Sequence, residues 1–139
     1  MRRDPSRAVF LAALLSLGGA ACGGPETQTD MVIEMQSQAL LEDASLLAIY
    51  FYGADQTCET VRAAMPRPPS VLGPFAANLD AASRQAGALL RQDAVAVGTY
   101  LVWVDAFDDN GGLVGTGCSP EQRVLEREVS SIKVLVRDP

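Results

Sequence analysis

Histidine is absent from the 139-residue sequence, and lysine occurs once, as Lys133. Without histidine, the chain cannot form Ser–His or Cys–His nucleophile pairs, use an imidazole general base or bind a metal through imidazole. Catalysis would have to depend on carboxylates in a cleft that raises the pKa of one of them, and no motif marks such a cleft. We therefore expect a protein that is not an enzyme and needs no cofactor.

Positive charge is scarce as well. The whole chain carries a net charge of −6, and residues 22–139 hold eight basic and sixteen acidic side chains, a net charge of −8. An acidic domain repels phosphate backbones, so nucleic acid is excluded as a partner. It gains nothing from anionic lipid headgroups either, so membrane attachment would have to be covalent.

The longest apolar run near the N-terminus, Ala8 to Leu17, is shorter than the ~20 residues that span a bilayer. Three arginines precede it within the first seven residues, and the small residues Gly18 to Ala21 follow it. A basic start, a short apolar run and a small-residue stretch are the plan of a secretory signal peptide. The sequence predicts a signal peptide over residues 1–21 and export from the cytoplasm.

The residues Ala20-Ala21-Cys22 resemble the lipobox of bacterial lipoprotein signals. The resemblance implies that Cys22 becomes the mature N-terminus and carries lipid chains, with residues 22–29 as a short tether. Each buried methylene contributes ~0.8 kcal/mol, so two or three acyl chains give stable anchoring. Gly23 after the cysteine implies the outer membrane, by the sorting rule of such lipoproteins. Ordinary cleavage near Ala21, without lipidation, is the alternative.

Two further cysteines, Cys58 and Cys118, lie in the mature chain. Cysteines of an exported protein normally pair, and acylation of Cys22 would leave these two only each other. The bond would close a loop of about 60 residues, worth about 4 kcal/mol in the chain-entropy model. A redox pair or a metal site is the alternative, but no Cys-x-x-Cys spacing supports it.

Alternating and β-rich segments predict at least five strands, over residues 31–38, 46–52, 98–107, 113–118 and 129–136. A short helix is expected from Thr57 to Ala64, capped by Asp55 or Thr57, and a surface loop over 66–75. We predict one domain over residues 30–139, mainly β, built as an antiparallel β-sandwich with one or two short helices. The alternative is an α+β fold with a helix at 77–93 on an antiparallel sheet.

The segment Gly98-Thr99-Tyr100, followed by a long alternating strand, resembles the tyrosine-corner region of immunoglobulin-like and fibronectin-type sandwiches. Residues 98–118 are also similar to the transthyretin-like domains of bacterial lipoproteins. Both resemblances imply a β-sandwich. The Asn110-Gly111 pair between two β-rich runs predicts a hairpin with a loop of more than two residues.

Two sets of residues are candidate sites. Tyr50 and Tyr52 share one face of their strand, and Trp103 and Phe107 share one face of theirs, so they could form an aromatic ligand face or simply fill the core. Asp105, Asp108, Asp109 and Asn110 could bind a metal such as calcium, or could be ordinary turn residues.

The function predicted from the sequence is that of an envelope lipoprotein. It would be anchored in the membrane by its N-terminal lipid and would bind or scaffold other envelope proteins without catalysis. Two alternatives stay open: a hydrolase that depends on carboxylates or a metal, and a binding module for glycans or small ligands.

Overall fold

The computed structural model describes residues 28–85, 89–93, 95–126 and 129–139. They form seven strands and three short helices, and more than half of these described residues belong to strands. In chain order the elements are β1 (Gln28–Met35), α1 (Gln38–Asp43), β2 (Leu46–Gly53), α2 (Cys58–Ala63), β3 (Leu72–Asn78), α3 (Ala81–Gln85), β4 (Leu89–Asp93), β5 (Gly98–Phe107), β6 (Leu113–Val124) and β7 (Val129–Arg137). The prediction of a mainly β fold with short helices is confirmed.

All seven strands belong to one sheet, in the order β3-β2-β5-β6-β7-β1-β4. β1 runs parallel to β7, with Met31 beside Ile132 and Ile33 beside Val134, while the other neighbours are antiparallel. The expectation of purely antiparallel pairing is therefore wrong. An alternating pattern fixes which face of a strand is apolar but not the direction of its neighbour, and both directions bring these side chains together.

The sheet is strongly curled around a single main core. Leu47 and Ile49 of β2 belong to the same buried cluster as Met31 and Ile33 of β1. Four strand spacings separate β1 from β2 in the sheet, about 19 Å if the sheet were flat. Curling therefore brings the two flanks together, and one sheet covers the core from several sides. The two-sheet sandwich is not confirmed.

The two ends of this curled sheet differ. At the first, which we call the Gln28 end, β1 and β7 begin together and β5 begins beside the end of β6. At the second, the hairpin end, lie the turn between β5 and β6 and helix α1. Leu40 of α1 is buried in the main core and would touch a side chain added at Gly115. Helix α1 thus closes the core at the hairpin end.

The hairpin between β5 and β6 has a five-residue connection, 108–112, as expected from its Asn-Gly pair. Gly111 adopts φ +79°, a left-handed conformation that glycine tolerates. The amide of Asp108 donates to the carbonyl of Gly112 (2.9 Å), which closes the loop. The hairpin prediction is confirmed.

The region between α2 and β5 matches neither the surface loop expected over 66–75 nor the helix expected at 77–93 in the alternative fold. Residues 72–78, divided between the expected loop and the alternative helix, form β3, and residues 89–93 form β4. Among the described residues of this stretch, only Ala81–Gln85 is helical and both ends are strand, so the helix at 77–93 is wrong. β3 is an edge strand, and Pro74 lies where the register between β2 and β3 shifts, a place in a sheet where proline is tolerated. Pairing with β2 therefore outweighs the tendency of Gly73 and Pro74 to interrupt a strand.

The tyrosine-corner contact is present. The hydroxyl of Tyr100 donates to the carbonyl of Ala96, four residues upstream, at 2.8 Å. A side chain at Gly98 would lie 3.2 Å from the Tyr100 ring, so glycine leaves the ring its space. Here the contact fixes the start of β5 in a single curled sheet rather than in a sandwich.

Candidate functional site

Helix α2 begins where the sequence predicts. Thr57 is the N-cap, its hydroxyl accepts from the amide of Thr60, and the Thr60 side chain accepts from the amide of Thr57. Glu59 lies in the first turn and Arg62 in the last, both favourable with respect to the helix dipole. This capping box fixes a short helix across the outer face of the sheet, opposite the main core.

A disulfide joins Cys58, the first residue of α2, to Cys118 of β6. The two Cα atoms lie 5.9 Å apart, and 60 positions separate the cysteines in the sequence. The predicted Cys58–Cys118 bond is present. It holds α2 against the sheet at the helix N-terminus, so the helix has a covalent as well as an apolar attachment.

Beneath α2 lies a second, smaller core. Tyr52 and Trp103, each 2% exposed, pack with Val61 of the helix and Leu101 of β5. Tyr50 is half-buried at the margin and stacks on Tyr52, with ring centroids 6.3 Å apart. Phe107 is not part of this cluster. The expected aromatic residues are thus partly brought together, but Tyr52 and Trp103 form an interior rather than an open platform.

Asp105 is the one acidic side chain among the buried residues of the described chain, at 3% exposure. Its Oδ1 accepts from Nε1 of Trp103 at 2.7 Å and from Nη2 of Arg67 at 3.2 Å, and its Oδ2 accepts from Nη1 of Arg67. A buried carboxylate is costly unless it is paired and hydrogen-bonded, and here the pairing is bidentate. Arg67 therefore neutralises Asp105 and ties the 64–71 segment to β5.

The same contacts affect two titratable groups. The hydrogen bond to Asp105 raises the pKa of Arg67, with burial opposing it, so this guanidinium stays charged. Burial raises the pKa of Tyr52, and the positive charge of Arg67 partly opposes that shift. The phenol is therefore held in its neutral form.

The structure does not gather the four expected metal ligands. Asp105 is bound to Arg67 and Trp103, whereas Oδ1 of Asp108 accepts from the amides of Asn110 (2.9 Å) and Gly112 (2.7 Å). No group of three or more acidic or cysteine side chains among the described residues could hold a metal ion. Asp108 acts as an organiser of the hairpin loop, which is the ordinary role of aspartate in a turn.

Above the buried indole lies a shallow depression that no motif of the sequence predicts. We call it the arginine pocket; it has a volume of about 290 Å³ and is lined by Arg62, Ala64, Met65, Arg67, Trp103, Thr116 and Pro139. The Cζ atoms of Arg67 and Arg62 lie 4.9 and 5.9 Å from the centre of the Trp103 ring. Met65, 95% exposed, borders the same depression. The pocket therefore combines cationic and apolar surface.

One signal could have drawn attention to this pocket. Arg62 and Arg67 stand five positions apart in a chain with few basic residues. Their convergence on Trp103 depends on the path of residues 64–71 over the sheet, and spacing along the chain does not reveal that path. Within the described part of the chain, Arg62 forms no ion pair, and its guanidinium lies over the Trp103 ring.

Cys22 and the predicted signal peptide lie outside the described residues, which begin at Gln28. None of the helices in the described part has the length and apolar composition that a membrane crossing requires.

No family model matches the chain, and no curated protein matches it. Among solved structures, the chain is similar to a DUF4876 family protein from Bacteroides thetaiotaomicron, with a TM-score of 0.46 and 14% sequence identity. The alignment covers 81% of this chain and 23% of that one, so this chain spans about a quarter of its length. Similarity at this level assigns neither a family nor a function.

Proposed function

We propose that this protein is an exported, lipid-anchored binding module of the bacterial envelope. In this proposal Cys22 carries the anchor, the curled sheet is a rigid scaffold, and the arginine pocket contacts another envelope protein. The proposal includes no catalytic step. The observation that carries it is the convergence of Arg62 and Arg67 on the buried Trp103, beside the exposed Met65.

Export is supported by two independent features. The first 22 residues follow the plan of a lipoprotein signal. The mature chain contains a Cys58–Cys118 disulfide, a bond that persists in oxidising compartments and is rare in the cytoplasm. A disulfide-braced domain behind such a signal fits the envelope better than the cell interior.

Rigidity of the pocket supports binding. Arg67 is held by two hydrogen bonds to Asp105, and Arg62 belongs to a helix that the disulfide fixes to β6. Side chains ordered before binding lose less conformational entropy when a partner arrives. A pocket in which the Arg67 side chain is held in place and Arg62 projects from a fixed helix is therefore suited to recognition.

The composition of the pocket indicates the partner's chemistry. Arg62 offers a guanidinium that forms no ion pair within the described part of the chain, and Met65 offers exposed apolar surface next to it. Arginine binds carboxylates in a bidentate manner, and methionine adapts to varied apolar partners. We infer that the pocket receives a protein segment with a carboxylate next to an aliphatic or aromatic side chain.

The two alternative functions have less support. Asp105, one of the four candidate metal ligands, is fully engaged by Arg67 and Trp103, so it is committed to structure rather than to a metal-dependent hydrolase. A glycan module normally presents open aromatic rings, whereas Tyr52 and Trp103 are buried under α2.

The experiment is site-specific photo-crosslinking in living cells, with a photoreactive residue at Met65 and a matched one at Leu113 of the hairpin end. Leu113 is also exposed and apolar, so it controls for nonspecific contact. We expect a discrete adduct with an envelope protein from position 65. Arg62→Glu should abolish the adduct and Arg62→Lys should retain part of it. Equal adducts from both positions, or adducts that persist in Arg62→Glu, would contradict the proposal that the arginine pocket binds an envelope protein.

The anchor is tested separately by intact mass of the membrane-extracted protein. We expect the mass of residues 22–139 plus acyl chains. The Cys22→Ala variant should leave the membrane fraction. Full-length protein in the cytoplasm would overturn the export proposal.

A further inference from the structure

Exposed aliphatic side chains concentrate at the Gln28 end of the sheet. Four such residues, 45–63% exposed, are Val71, Val97, Leu125 and Val129. We call them the aliphatic rim. Isolated exposed aliphatics are ordinary, but a row of them along one end of a domain marks a contact surface.

Backbone pairing places all four residues at this end. Val97 immediately precedes Gly98, which pairs with Val124, and Leu125 immediately follows Val124. Val129 pairs with Gln28, the first residue of β1. The amide of Val71 donates to the carbonyl of Phe51 near the end of β2 (2.8 Å). The rim therefore runs across this end of the sheet from β2 to β7.

The opposite end has another character. The loop 108–112 there consists of two aspartates, an asparagine and two glycines, and its tip is exposed. Two less exposed aliphatic residues lie towards this end, Leu113 beside the loop at 41% exposure and Leu135 near the end of β7 at 38%. The domain is thus polarised along its strands, with a polar tip at the hairpin end and aliphatic side chains at the Gln28 end.

The N-terminal tether joins the domain at the aliphatic end. Position 28 is six positions after Cys22, so a chain that extends from the start of β1 reaches at most about 22 Å. An acyl group on Cys22 therefore keeps the Gln28 end within that distance of the bilayer. A short tether of this kind gives the rim a high effective concentration at the lipid surface.

We propose that the aliphatic rim rests on the lipid bilayer and sets the orientation of the domain. This inference rests on the proposed lipid anchor at Cys22. Asp55 and Arg123, both exposed, lie near this end, so the local charge is mixed. Because residues 22–139 carry a net charge of −8, the domain gains nothing from anionic headgroups, and the contact is with the interfacial region of a zwitterionic membrane. The rim alone is too small for stable binding, and it acts after the lipid has brought it to the surface.

This orientation has a consequence for the arginine pocket. Asp105 pairs with Thr116, and Thr116 pairs with Arg137 near the end of β7, so this part of the pocket lies towards the hairpin end. With the rim on the bilayer, the pocket faces the aqueous compartment. A partner protein can then reach it without competing with lipid.

The test uses the acylated full-length mature protein in phosphatidylethanolamine-rich vesicles that contain headgroup-nitroxide lipids. Val97→Cys and Leu113→Cys each add a single free thiol for a bimane label, because Cys58 and Cys118 are paired and Cys22 is acylated. We expect several-fold stronger quenching at position 97 than at position 113, and unchanged quenching when the protein density in the membrane is lowered.

Three results would count against the inference. Equal and weak quenching at both positions, in protein whose mass shows acylation, would show that the aliphatic rim does not contact the bilayer. The lipid anchor would then stand without it. A position-97 signal that vanishes on dilution in the membrane would mean that the rim contacts a second copy of the chain. A mass without acyl chains would remove the anchor and this inference with it.

Discussion

Trp103 donates its indole N–H to Asp105, two positions further along the same strand, at 2.7 Å. Residues i and i+2 of a strand project from the same face, so the strand itself places the Trp103 and Asp105 side chains side by side. The carboxylate in turn binds the guanidinium of Arg67, and both partners of Asp105 lie in or beneath the arginine pocket. The buried acid thus connects the scaffold to the surface that we propose for binding.

Replacement of Asp105 with alanine should be strongly destabilising. It leaves the indole N–H buried without an acceptor and the Arg67 guanidinium without its carboxylate. Breaking one side of a buried pair costs about 3 kcal/mol. Urea unfolding followed by the fluorescence of Trp103, the sole tryptophan, measures the loss.

Asp105→Asn is the matched control, because its amide oxygen can still accept from Trp103 while the charge is lost. It should cost less than the alanine variant. If both variants unfold within about 0.5 kcal/mol of the unsubstituted protein, a typical surface effect, the Asp105 contacts do not stabilise the domain.

Alkaline pH should weaken the fold through Tyr52. Burial raises the pKa of this phenol above its ordinary value of 10.0, so the folded protein retains a proton that the unfolded chain releases. The stabilisation is complete below pH 10 and is lost as the pH rises through the raised pKa of the folded state. Stability of the unsubstituted protein should therefore fall more steeply above pH 10 than that of Tyr52→Phe, as measured by urea midpoints. Parallel curves for the two proteins would contradict this role.

The sequence predicts those parts of the fold that depend on neighbouring residues. Residues 98–107 form β5 with the expected bounds, because alternation and β-branched side chains act locally. Thr57 caps α2 for the same reason, since its hydroxyl needs only an amide three residues ahead. Such interactions are specified within a few residues.

Other features depend on contacts between residues distant in sequence, so local sequence patterns do not predict them. β3 forms although it contains Gly73-Pro74, because β2 offers it a neighbour. The burial of Trp103 requires α2 to lie above it, and the Arg67–Asp105 pair joins residues 38 positions apart. Periodicity places Tyr52 with Tyr50, and Trp103 with Phe107, on one face of their respective strands, but it shows neither that the two faces adjoin nor what covers them.

Loss of the Cys58–Cys118 bond should lower the free energy of unfolding by about 4 kcal/mol, because the bond closes a loop of 60 residues. The double variant Cys58→Ser, Cys118→Ser is compared with the native protein in urea. Alkylation of the native protein under denaturing, non-reducing conditions should label neither position. Labelling of both cysteines would show that the bond is absent in the isolated protein.

Tyr100→Phe tests the tyrosine corner. It removes the hydroxyl that donates to Ala96 and preserves the ring, which packs edge-on against Phe51 with centroids 5.4 Å apart. The loss of one neutral hydrogen bond should cost about 1 kcal/mol. A loss near zero would mean that water satisfies the Ala96 carbonyl equally well.

The hairpin loop offers a direct comparison between turn and metal roles for its aspartates. Asp108→Ala removes the acceptor of two amides and should cost about 1–2 kcal/mol, whereas Asp109→Ala, at an exposed position for which the structure records no such bond, should cost little. Calcium should leave the Tm of the unsubstituted protein unchanged, because a ligand that binds only the folded state would raise it. A calcium-dependent rise in Tm that Asp109→Ala abolishes would restore the metal site expected from the sequence.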